Sequence, residues 1–176
     1  MLTKIDDALI KQIANNDLNA FTKLYELTSS TIYAFALSIL KNPADAEDIK
    51  QESFIKIRIA ASHYQAEGKA LTWILSITKN LCLMKLRKSR LQSNYALDDF
   101  SFDDSLDQIK NLEDQLVLKT ALQILSKEES SIICLHAITG WKHKEIAKLL
   151  DLPLSTVLSK YHRGLKKLKN ELEGKL

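Results

Sequence analysis

Residues 141–172, WKHKEIAKLLDLPLSTVLSKYHRGLKKLKNEL, decide the fold of the carboxy-terminal part of the chain. Apolar residues recur at helical spacing from Ile146 to Leu150, and Pro153 then interrupts the pattern, because a proline cannot continue a helix. A second helical stretch follows, and its expected core stripe is Leu154, Val157, Tyr161, Leu165, Leu168 and Leu172. Two amphipathic helices joined by a tight turn predict a helix-turn-helix.

The opposite side of the second helix carries hydrogen-bonding groups near its start and cations further along. These residues are Ser155, Thr156, Ser159, Lys160, His162, Arg163, Lys166 and Lys169. On such an arc the early side chains can reach base edges in a DNA groove, and the later lysines can meet phosphates. A solvated basic face on a helix bundle is the alternative for the stripe alone. The turn between paired helices favours DNA binding.

The string KEIAKLLDLPLSTVLSKYHRGLKKLK resembles the carboxy-terminal domain of the extracytoplasmic function (ECF) group of bacterial RNA polymerase sigma factors. The matching positions are Glu145, Ile146, Ala147, Leu150, Pro153, Thr156, Val157, Ser159 and Arg163. The chain departs from the family pattern at Asp151 and Ser155, which replace glycines, and at Leu158, which replaces a cation. Because an aspartate tolerates a left-handed turn conformation, we expect the turn to be kept. The resemblance implies that this domain reads the minus-35 promoter element.

The segment DAEDIKQESFIKIR, residues 45–58, resembles the most recognisable string of the same family, D-A-E-D-x-x-Q-E-x-F. Helical spacing places its acidic and polar residues on one exposed arc, which suits a basic protein surface better than phosphate. The resemblance implies docking on the clamp helices of the polymerase beta-prime subunit, through Asp45, Glu47, Asp48, Gln51, Glu52 and Ile55. The dipole of a helix beginning after Pro43 would attract acids too, but only in its first turn.

Residues 63–90, HYQAEGKALTWILSITKNLCLMKLRKSR, predict two helices separated by a polar loop around residues 65–69, with Gly68 as the breaker. The string KALTWILSITKN resembles the family pattern W-L-x-x-I-A-R-N. This resemblance implies that the segment separates the strands of the minus-ten element and holds a flipped base. The candidate DNA contacts are Tyr64, Lys69, Trp73, Lys79, Asn80 and Arg87. For Trp73 a core position is the alternative, since an indole between leucines is usually buried.

The charge distribution divides the chain into three parts. The net charge is +4 for residues 1–90, −6 for residues 91–115 and +5 for residues 116–176. We therefore expect an all-α protein with helical domains at residues 1–90 and 113–176, joined by an acidic flexible linker at residues 91–112. The acidic run could be merely solvated, whereas the resemblance implies that it threads toward the active-site and RNA-exit channels of the polymerase. The opening segment, residues 5–40, is predicted to be helical throughout.

Several classes of function are excluded by what the sequence lacks. It has no glycine-rich phosphate loop and no nucleophile beside a base, so we expect a binding factor and not an enzyme. Its four histidines have no ligand spacing with the cysteines, so neither a metal nor another cofactor is expected. Cys82 and Cys134 lie far apart in apolar helical runs and are predicted to be buried reduced thiols. Without a signal peptide or an apolar span, the chain is expected to be cytoplasmic, with no membrane insertion.

Three hypotheses follow from these patterns. The first is an ECF sigma factor, for which the resemblance implies three partners: core polymerase through its beta-prime clamp and beta flap, promoter DNA, and an anti-sigma factor. The second is a stand-alone dimeric helix-turn-helix regulator, which predicts palindromic sites and binding without polymerase. The third is a helical interaction protein with an incidental basic face, which predicts salt-sensitive DNA binding without sequence preference. The first accounts for both halves of the chain.

Overall fold

The computed structural model describes residues 5–92 and 123–173, and within these two ranges the chain is helical and has no strand. The α-helices described are α1 (Asp7–Ala14), α2 (Leu18–Leu40), α3 (Pro43–Ala60), α4 (Ala70–Gln92), α5 (Lys127–Thr139), α6 (His143–Leu150) and α7 (Leu154–Glu173). A short 3-10 helix, Ala61–His63, follows α3. The predicted all-α class is confirmed. Helix α4 includes the first two residues of the predicted linker, and residues 93–112 of it lie outside the described residues.

Polar side chains set the starts of the first three helices. The carboxylate of Asp6 accepts the amide of Ala8 at 2.9 Å, that of Asp17 accepts the amide of Asn19 at 2.9 Å, and the Asn42 side chain accepts the amide of Asp45 at 2.9 Å. The prediction of one helix over residues 5–40 is wrong at residues 15–17. Asn16 adopts a left-handed conformation there, with φ 61°, and Asp17 caps a new helix.

Helix α2 is the centre of the amino-terminal half. It packs against α1, α3 and α4, and its last thirteen residues contain no charged side chain. The largest fully buried side chains of this half are Ile10, Leu24, Ile32, Phe35, Leu37, Ile49, Ile57, Ile74 and Leu75. Burial of each contributes about 1.5–3 kcal/mol before the entropy of ordering is subtracted. These contacts hold the exposed faces of α3 and α4 in fixed positions.

The carboxy-terminal half is a helix-turn-helix supported by α5. A capping box begins α5, in which the Ser126 hydroxyl accepts the amide of Glu129 at 3.2 Å and the Glu129 carboxylate accepts the amide of Ser126 at 2.9 Å. Asp151 joins α6 to α7 in the expected left-handed conformation, with φ 62°. The sequence therefore predicted the turn correctly.

The predicted core stripe of α7 is partly wrong. Val157 is fully buried, but Leu154 and Leu165 are 43% and 40% exposed, and the side chain of Leu172 lies outside the described residues. Gly164 is the buried contact in place of Leu165. A Cβ built on Gly164 would lie 2.6 Å from Cδ1 of Ile133, so α7 approaches α5 closely along this line. The buried side of α7 therefore includes Val157 and Gly164, and both leucines lie at its margins.

The two halves pack against each other, mainly α2 against α5 and α4 against α6. Within the described residues, polar contacts also cross this boundary: the hydroxyls of Ser38 and Ser131 are 3.2 Å apart, Lys41 Nζ donates to the carbonyl of Leu125 at 3.2 Å, and Lys79 Nζ donates to the carbonyl of Leu149 at 2.8 Å. A groove of about 240 Å³ lies beside them, lined by Ile39, Lys79, Leu83, Leu86, Leu150 and Leu152 among others. The hydrophobic core is continuous across the boundary.

Candidate protein and nucleic-acid interfaces

The acidic face of α3, defined as Asp45, Asp48, Gln51, Glu52 and Ile55, lies opposite the buried side of the helix. Ala46, Ile49, Ser53 and Ile57 are buried beneath it, whereas Asp48, Gln51, Glu52 and Ile55 are exposed. Asn42 and Pro43 start the helix and so fix which residues of α3 face solvent. The face also has an apolar end that the sequence interpretation missed, because Ile59, one turn beyond Ile55, is 66% exposed. The spacing of four residues between the two isoleucines, which places them on the same side of a helix, was the sequence signal for this apolar end.

Lys85 of α4 bridges two carboxylates of the acidic face. Its ammonium lies 2.6 Å from Oδ1 of Asp45 and 3.3 Å from Oδ2 of Asp48. The hydrogen bond to Asp45, followed by that to Asp48, raises the pKa of Lys85. These side chains line a groove of about 710 Å³ between α3 and α4, together with Glu52, Met84 and Lys88. The contact of Lys85 with α3 was missed by the sequence interpretation.

Glu47 has a different environment from the rest of the predicted docking residues. Its Oε2 lies 2.8 Å from Nζ of Lys50, whose side chain is only 5% exposed, and its Oε1 accepts a hydrogen bond from Gln51 Nε2 at 3.3 Å. Its charge also raises the pKa of Tyr33, after the larger effect of burial. Glu47 therefore lies at the margin of the acidic face, where its carboxylate compensates a buried lysine.

The loop of residues 64–69 is held by contacts with α1 on one side and with α4 on the other. The Tyr64 ring packs on that of Trp73, with centroids 4.9 Å apart, and the Tyr64 hydroxyl donates to Oδ1 of Asp7 at 2.8 Å. The amide of Gly68, in a left-handed conformation with φ 70°, donates to Oδ2 of Asp7 at 2.6 Å. Burial and the Asp7 carboxylate raise the pKa of Tyr64 to about 12. The Asp7 contacts were not predicted.

Five of the six candidate minus-ten residues lie on the loop or on one stripe of α4. Trp73, Asn80 and Arg87 are spaced by seven residues, so they share a helix face, and Asn80 and Arg87 are exposed. Lys69 is exposed and pairs with Glu67 at 3.1 Å. Trp73 is half-buried and packs against the core, so the core alternative holds in part. Lys79 is on a different side, where it hydrogen-bonds the carbonyl of Leu149 in the other half.

The predicted DNA-reading face of α7 is largely exposed. Ser155, Ser159, His162, Arg163 and Lys166 are exposed, and Thr156 and Lys160 are half-buried. The sequence did not reveal that the acidic first turn of α5 lies along its flank: Lys160 pairs with Glu128, and Arg163 Nε lies 3.8 Å from Oε1 of Glu129. The Arg163 side chain is nevertheless 58% exposed.

Glu129 is the buried charge that fastens α7 to α5. Its side chain is 3% exposed, and its Oε2 lies 2.7 Å from Nζ of Lys167 while it also accepts the amide of Ser126. Burial alone would raise the pKa of Glu129, but the contacts with Lys167 and Ser126 outweigh burial and lower it. The orientation of the reading face therefore depends on one carboxylate outside that face.

We predict that Glu129→Ala lowers the free energy of unfolding by about 1–3 kcal/mol, because it removes half of a capping box and leaves Lys167 without its partner. The exposed Glu128→Ala variant is the control and should lose less than about 1 kcal/mol, as expected for a surface ion pair. Thermal or urea unfolding of the full chain measures both. Equal losses in the two variants would contradict the role given to Glu129.

A histidine cluster supports the turn of the helix-turn-helix. The rings of His136 and His143 stack with centroids 4.9 Å apart, and the Tyr161 ring meets both edge-on. Nδ1 of His136 lies 2.8 Å from the carbonyl of Trp141, and Nε2 of His143 is buried without a hydrogen-bond partner. Across residues 5–92 and 123–173, no three potential metal ligands converge. The stacked and edge-on rings pack α5, α6 and α7 together at this turn.

The stability of this cluster is expected to depend on pH. Burial, and then the nearby His136 and His162, lower the pKa of His143 below its ordinary value of 6.5. The unfolded chain thus binds the proton more readily, and the free energy of unfolding should fall as the pH drops below 6.5. His143→Gln should reduce this slope between pH 7 and 5.5, whereas His63→Gln should not. An identical slope in the His143 variant would exclude His143 as its source.

Both cysteines are buried and free, as predicted. Burial is the largest cause that raises the pKa of each thiol, to about 12, so neither is a reactive thiolate at neutral pH. Within the described residues, no helix has the length and the apolar character needed to cross a membrane.

Two family models match the chain, and together they cover most of it. Sigma-70 region 2 matches residues 24–92, which include the acidic face and the loop, and Sigma-70 region 4 matches residues 115–168, which include the helix-turn-helix. The ECF RNA polymerase sigma factor SigW of Bacillus subtilis (strain 168) is 27% identical over 93% of this chain and 94% of its own length. SigX of the same organism is 28% identical over 87% of this chain and 84% of its own.

Solved structures give the same fold. CnrH, in complex with the cytosolic domain of CnrY, superposes with a TM-score of 0.68 over 96% of this chain and 97% of that chain, at 21% identity. The sigma factor RpoE from Bartonella quintana, in complex with the anti-sigma factor NepR, gives 0.71 over 87% of this chain and 96% of that chain, at 21% identity. The two Sigma-70 family models and the ECF sigma factor relatives place the chain among transcription initiation factors. The chain belongs to the ECF group of RNA polymerase sigma factors and directs transcription.

Proposed function

We propose that this sigma factor acts through three surfaces, one that binds core polymerase and two that bind promoter DNA. Residues 1–90 contain the acidic face of α3, which docks on the beta-prime clamp of core polymerase, and the loop with α4, which opens the minus-ten element. Residues 113–176 contain the reading face of α7, which binds the minus-35 element in duplex DNA. The observation that carries the proposal is the separation of charge: carboxylates are exposed on one side of α3, and cations and hydroxyls on α7. Each suits a partner of opposite sign.

The acidic face combines features typical of a protein-docking surface. Exposed carboxylates at Asp48 and Glu52 would steer a basic partner, and the exposed Ile55 and Ile59 supply apolar area that desolvates on contact. Phosphate would be repelled by the same face. A protein partner with cations near an apolar patch therefore fits it better than DNA does.

The loop and α4 have the chemistry that an exposed base requires. Tyr64 and Trp73 offer aromatic surface, Asn80 offers an amide for a base edge, and Lys69 and Arg87 offer cations to the single-stranded backbone. On α7, the side chains of Ser159, His162 and Arg163 are suited to hydrogen bonds with base edges, whereas Lys166 suits a phosphate.

The remaining parts of the proposal concern partners and setting. The chain acts as a non-enzymatic factor in the cytoplasm, and catalysis belongs to the polymerase. Residues 113–176 also meet the beta flap of the polymerase. Because the relatives CnrH and RpoE were solved with CnrY and the anti-sigma factor NepR, we include an anti-sigma factor among the partners of this chain.

Promoter binding requires the two halves to separate. The minus-ten and minus-35 elements are roughly 25 base pairs apart by their names, or about 85 Å at about 3.4 Å per pair. A compact chain of 176 residues is only about 40 Å across. The bond from Lys79 to the carbonyl of Leu149 must break before both surfaces engage.

We predict that fluorescence energy transfer between labels on α1 and α7 falls when holoenzyme binds a promoter, because the two halves move apart. Unchanged transfer in that complex would contradict this opening.

The experiment that tests the proposal is a mobility shift with promoter DNA, with and without core polymerase. A specific complex that forms only when core is present, at a site with separate minus-ten and minus-35 elements, is the expected result. Tight binding of the chain alone to a palindrome would favour the stand-alone dimeric regulator instead. Binding without sequence preference that disappears steeply with salt would indicate only an incidental basic face.

A further inference from the structure

The carboxylate of Asp7 reaches across the amino-terminal half to the loop of residues 64–69. Its two oxygens accept hydrogen bonds from different parts of that loop: Oδ1 from the hydroxyl of Tyr64 at 2.8 Å and Oδ2 from the amide of Gly68 at 2.6 Å. Tyr64 and Gly68 are the first residue of the loop and the last but one. One side chain therefore ties both ends of the loop to α1.

Helix α1 is a firm support for this contact. Leu9, Ile10 and Ile13 are buried in the core, and the helix packs against the 3-10 helix that leads into the loop. The Asp6 carboxylate already caps α1 through the amide of Ala8, so Asp7 is not needed for that purpose. Its carboxylate is instead turned toward a segment 61 residues away in the sequence.

The loop would not hold this shape by its own chemistry alone. Gly68 has the left-handed φ of 70° that glycine adopts at little cost, and a Cβ built there would meet no atom within 4 Å. Glycine is therefore required for the backbone angle and not for space, and glycine carries the largest conformational entropy in a free loop. A charged acceptor for the Gly68 amide removes part of that freedom.

An acidic side chain beside a loop that meets DNA needs an explanation, because it repels phosphates. The hydrogen bonds from Gly68 and Tyr64, in that order, lower the pKa of Asp7, so the carboxylate is charged at neutral pH. A negative charge in this place weakens DNA binding through electrostatics. The Asp7 carboxylate favours DNA binding overall only if the loop geometry that it imposes contributes more binding free energy than the repulsion of phosphates removes.

We infer that Asp7 is a positioning residue for minus-ten recognition: it holds the 64–69 loop and the Tyr64–Trp73 pair in the shape that receives the exposed base, without touching DNA itself. This inference rests on the proposed minus-ten role of the loop. Asp7 acts through Tyr64 and Gly68, and the aromatic pair at 4.9 Å is the surface that it orients. Loss of the carboxylate frees the loop and makes capture of the base entropically more costly.

The test uses the full chain assembled with core polymerase and a fork-junction DNA, duplex through the minus-35 element and single-stranded over minus-ten. Asp7→Ala should weaken fork-junction binding about tenfold, and Asp7→Asn by less, because an amide oxygen still accepts one hydrogen bond. Tyr64→Phe keeps the ring and loses only the bond to Asp7, so it should fall between wild type and Asp7→Ala. Asp6→Asn, which preserves a good cap, is the matched control and should bind as wild type does.

Further measurements distinguish positioning from other roles. The slope of binding against salt should be unchanged in Asp7→Ala, since no phosphate contact is lost. Amide hydrogen exchange at Gly68 should accelerate in the free chain, whatever DNA the protein binds. Core affinity and binding to a duplex that contains only the minus-35 element should remain as in wild type.

The outcomes separate this inference from the proposed function. Weaker fork binding by Asp7→Ala with unchanged core and duplex binding supports the positioning role. Equal or tighter fork binding, as simple removal of a negative charge would give, overturns it and leaves the proposed function standing. A parallel loss in all three assays also overturns it, since Asp7 would then serve only general folding. If wild-type holoenzyme itself does not prefer the fork junction to duplex, the minus-ten role fails and the inference with it.

Discussion

The double variant Asp48→Lys with Glu52→Lys is expected to abolish binding to core polymerase while the chain remains folded. The two side chains lie exposed on one arc of α3, so reversing them places like charges against a basic partner surface. Such contacts cost several kcal/mol, and we expect roughly a hundredfold loss of affinity or more. Lys85, which pairs with Asp48 at 3.3 Å, would add to the repulsion.

The control for this variant reverses two acids elsewhere, Glu26→Lys with Glu173→Lys, which changes the net charge by the same amount. Both residues are exposed, and neither belongs to α3. Titration of fluorescently labelled core polymerase measures the affinities, and circular dichroism checks the fold. Equal losses in the two double variants would show that net charge, and not the acidic face, governs association.

Arg163→Ala is expected to weaken recognition of the minus-35 element by about 1–3 kcal/mol, the usual cost of losing one good base contact. Its guanidinium is loosely placed near Glu129 at 3.8 Å, so the side chain can leave this contact for a base edge at small cost. Lys166→Ala should instead weaken binding to all sequences similarly and reduce the salt slope by about one. The exposed Lys148→Ala on α6 is the control.

Holoenzyme binding to a promoter and to the same duplex with a scrambled minus-35 element distinguishes the two effects. For Arg163→Ala the difference between the two duplexes should shrink, and for Lys166→Ala it should persist. A loss of equal size on both duplexes in the Arg163 variant would reassign Arg163 to the phosphate backbone.

The exposed side of α3 and the helix-turn-helix were predictable, because both depend on residues that are close together in the sequence. Helical spacing separates Ala46, Ile49 and Ser53 from the exposed acids, and burial in the structure follows that pattern. Asp151 could be predicted to take a left-handed turn because short polar side chains tolerate it. In each of these cases the physical cause lies within a few residues of its effect.

The sequence could not predict the contacts that join distant segments. Lys79 was a DNA candidate by its position in a motif, yet its ammonium reaches a carbonyl 70 residues away. Leu165 fits the apolar stripe of α7, but Gly164 makes the close approach to α5 and Leu165 is 40% exposed. Asp7 and Lys85 gave no signal, since a single charged residue on an amphipathic helix is ordinarily solvated. Tertiary packing, which periodicity does not encode, decides these positions.

The most direct test of the central claim is transcription by sigma-free core polymerase supplied with this chain and genomic DNA fragments from the organism that encodes it. We predict initiation at discrete start sites, each preceded by a shared pair of minus-ten and minus-35 sequences, and none from core alone. Absence of a complex with core polymerase, or initiation only at the random sites used by core alone, would contradict the claim that the chain directs promoter-specific initiation.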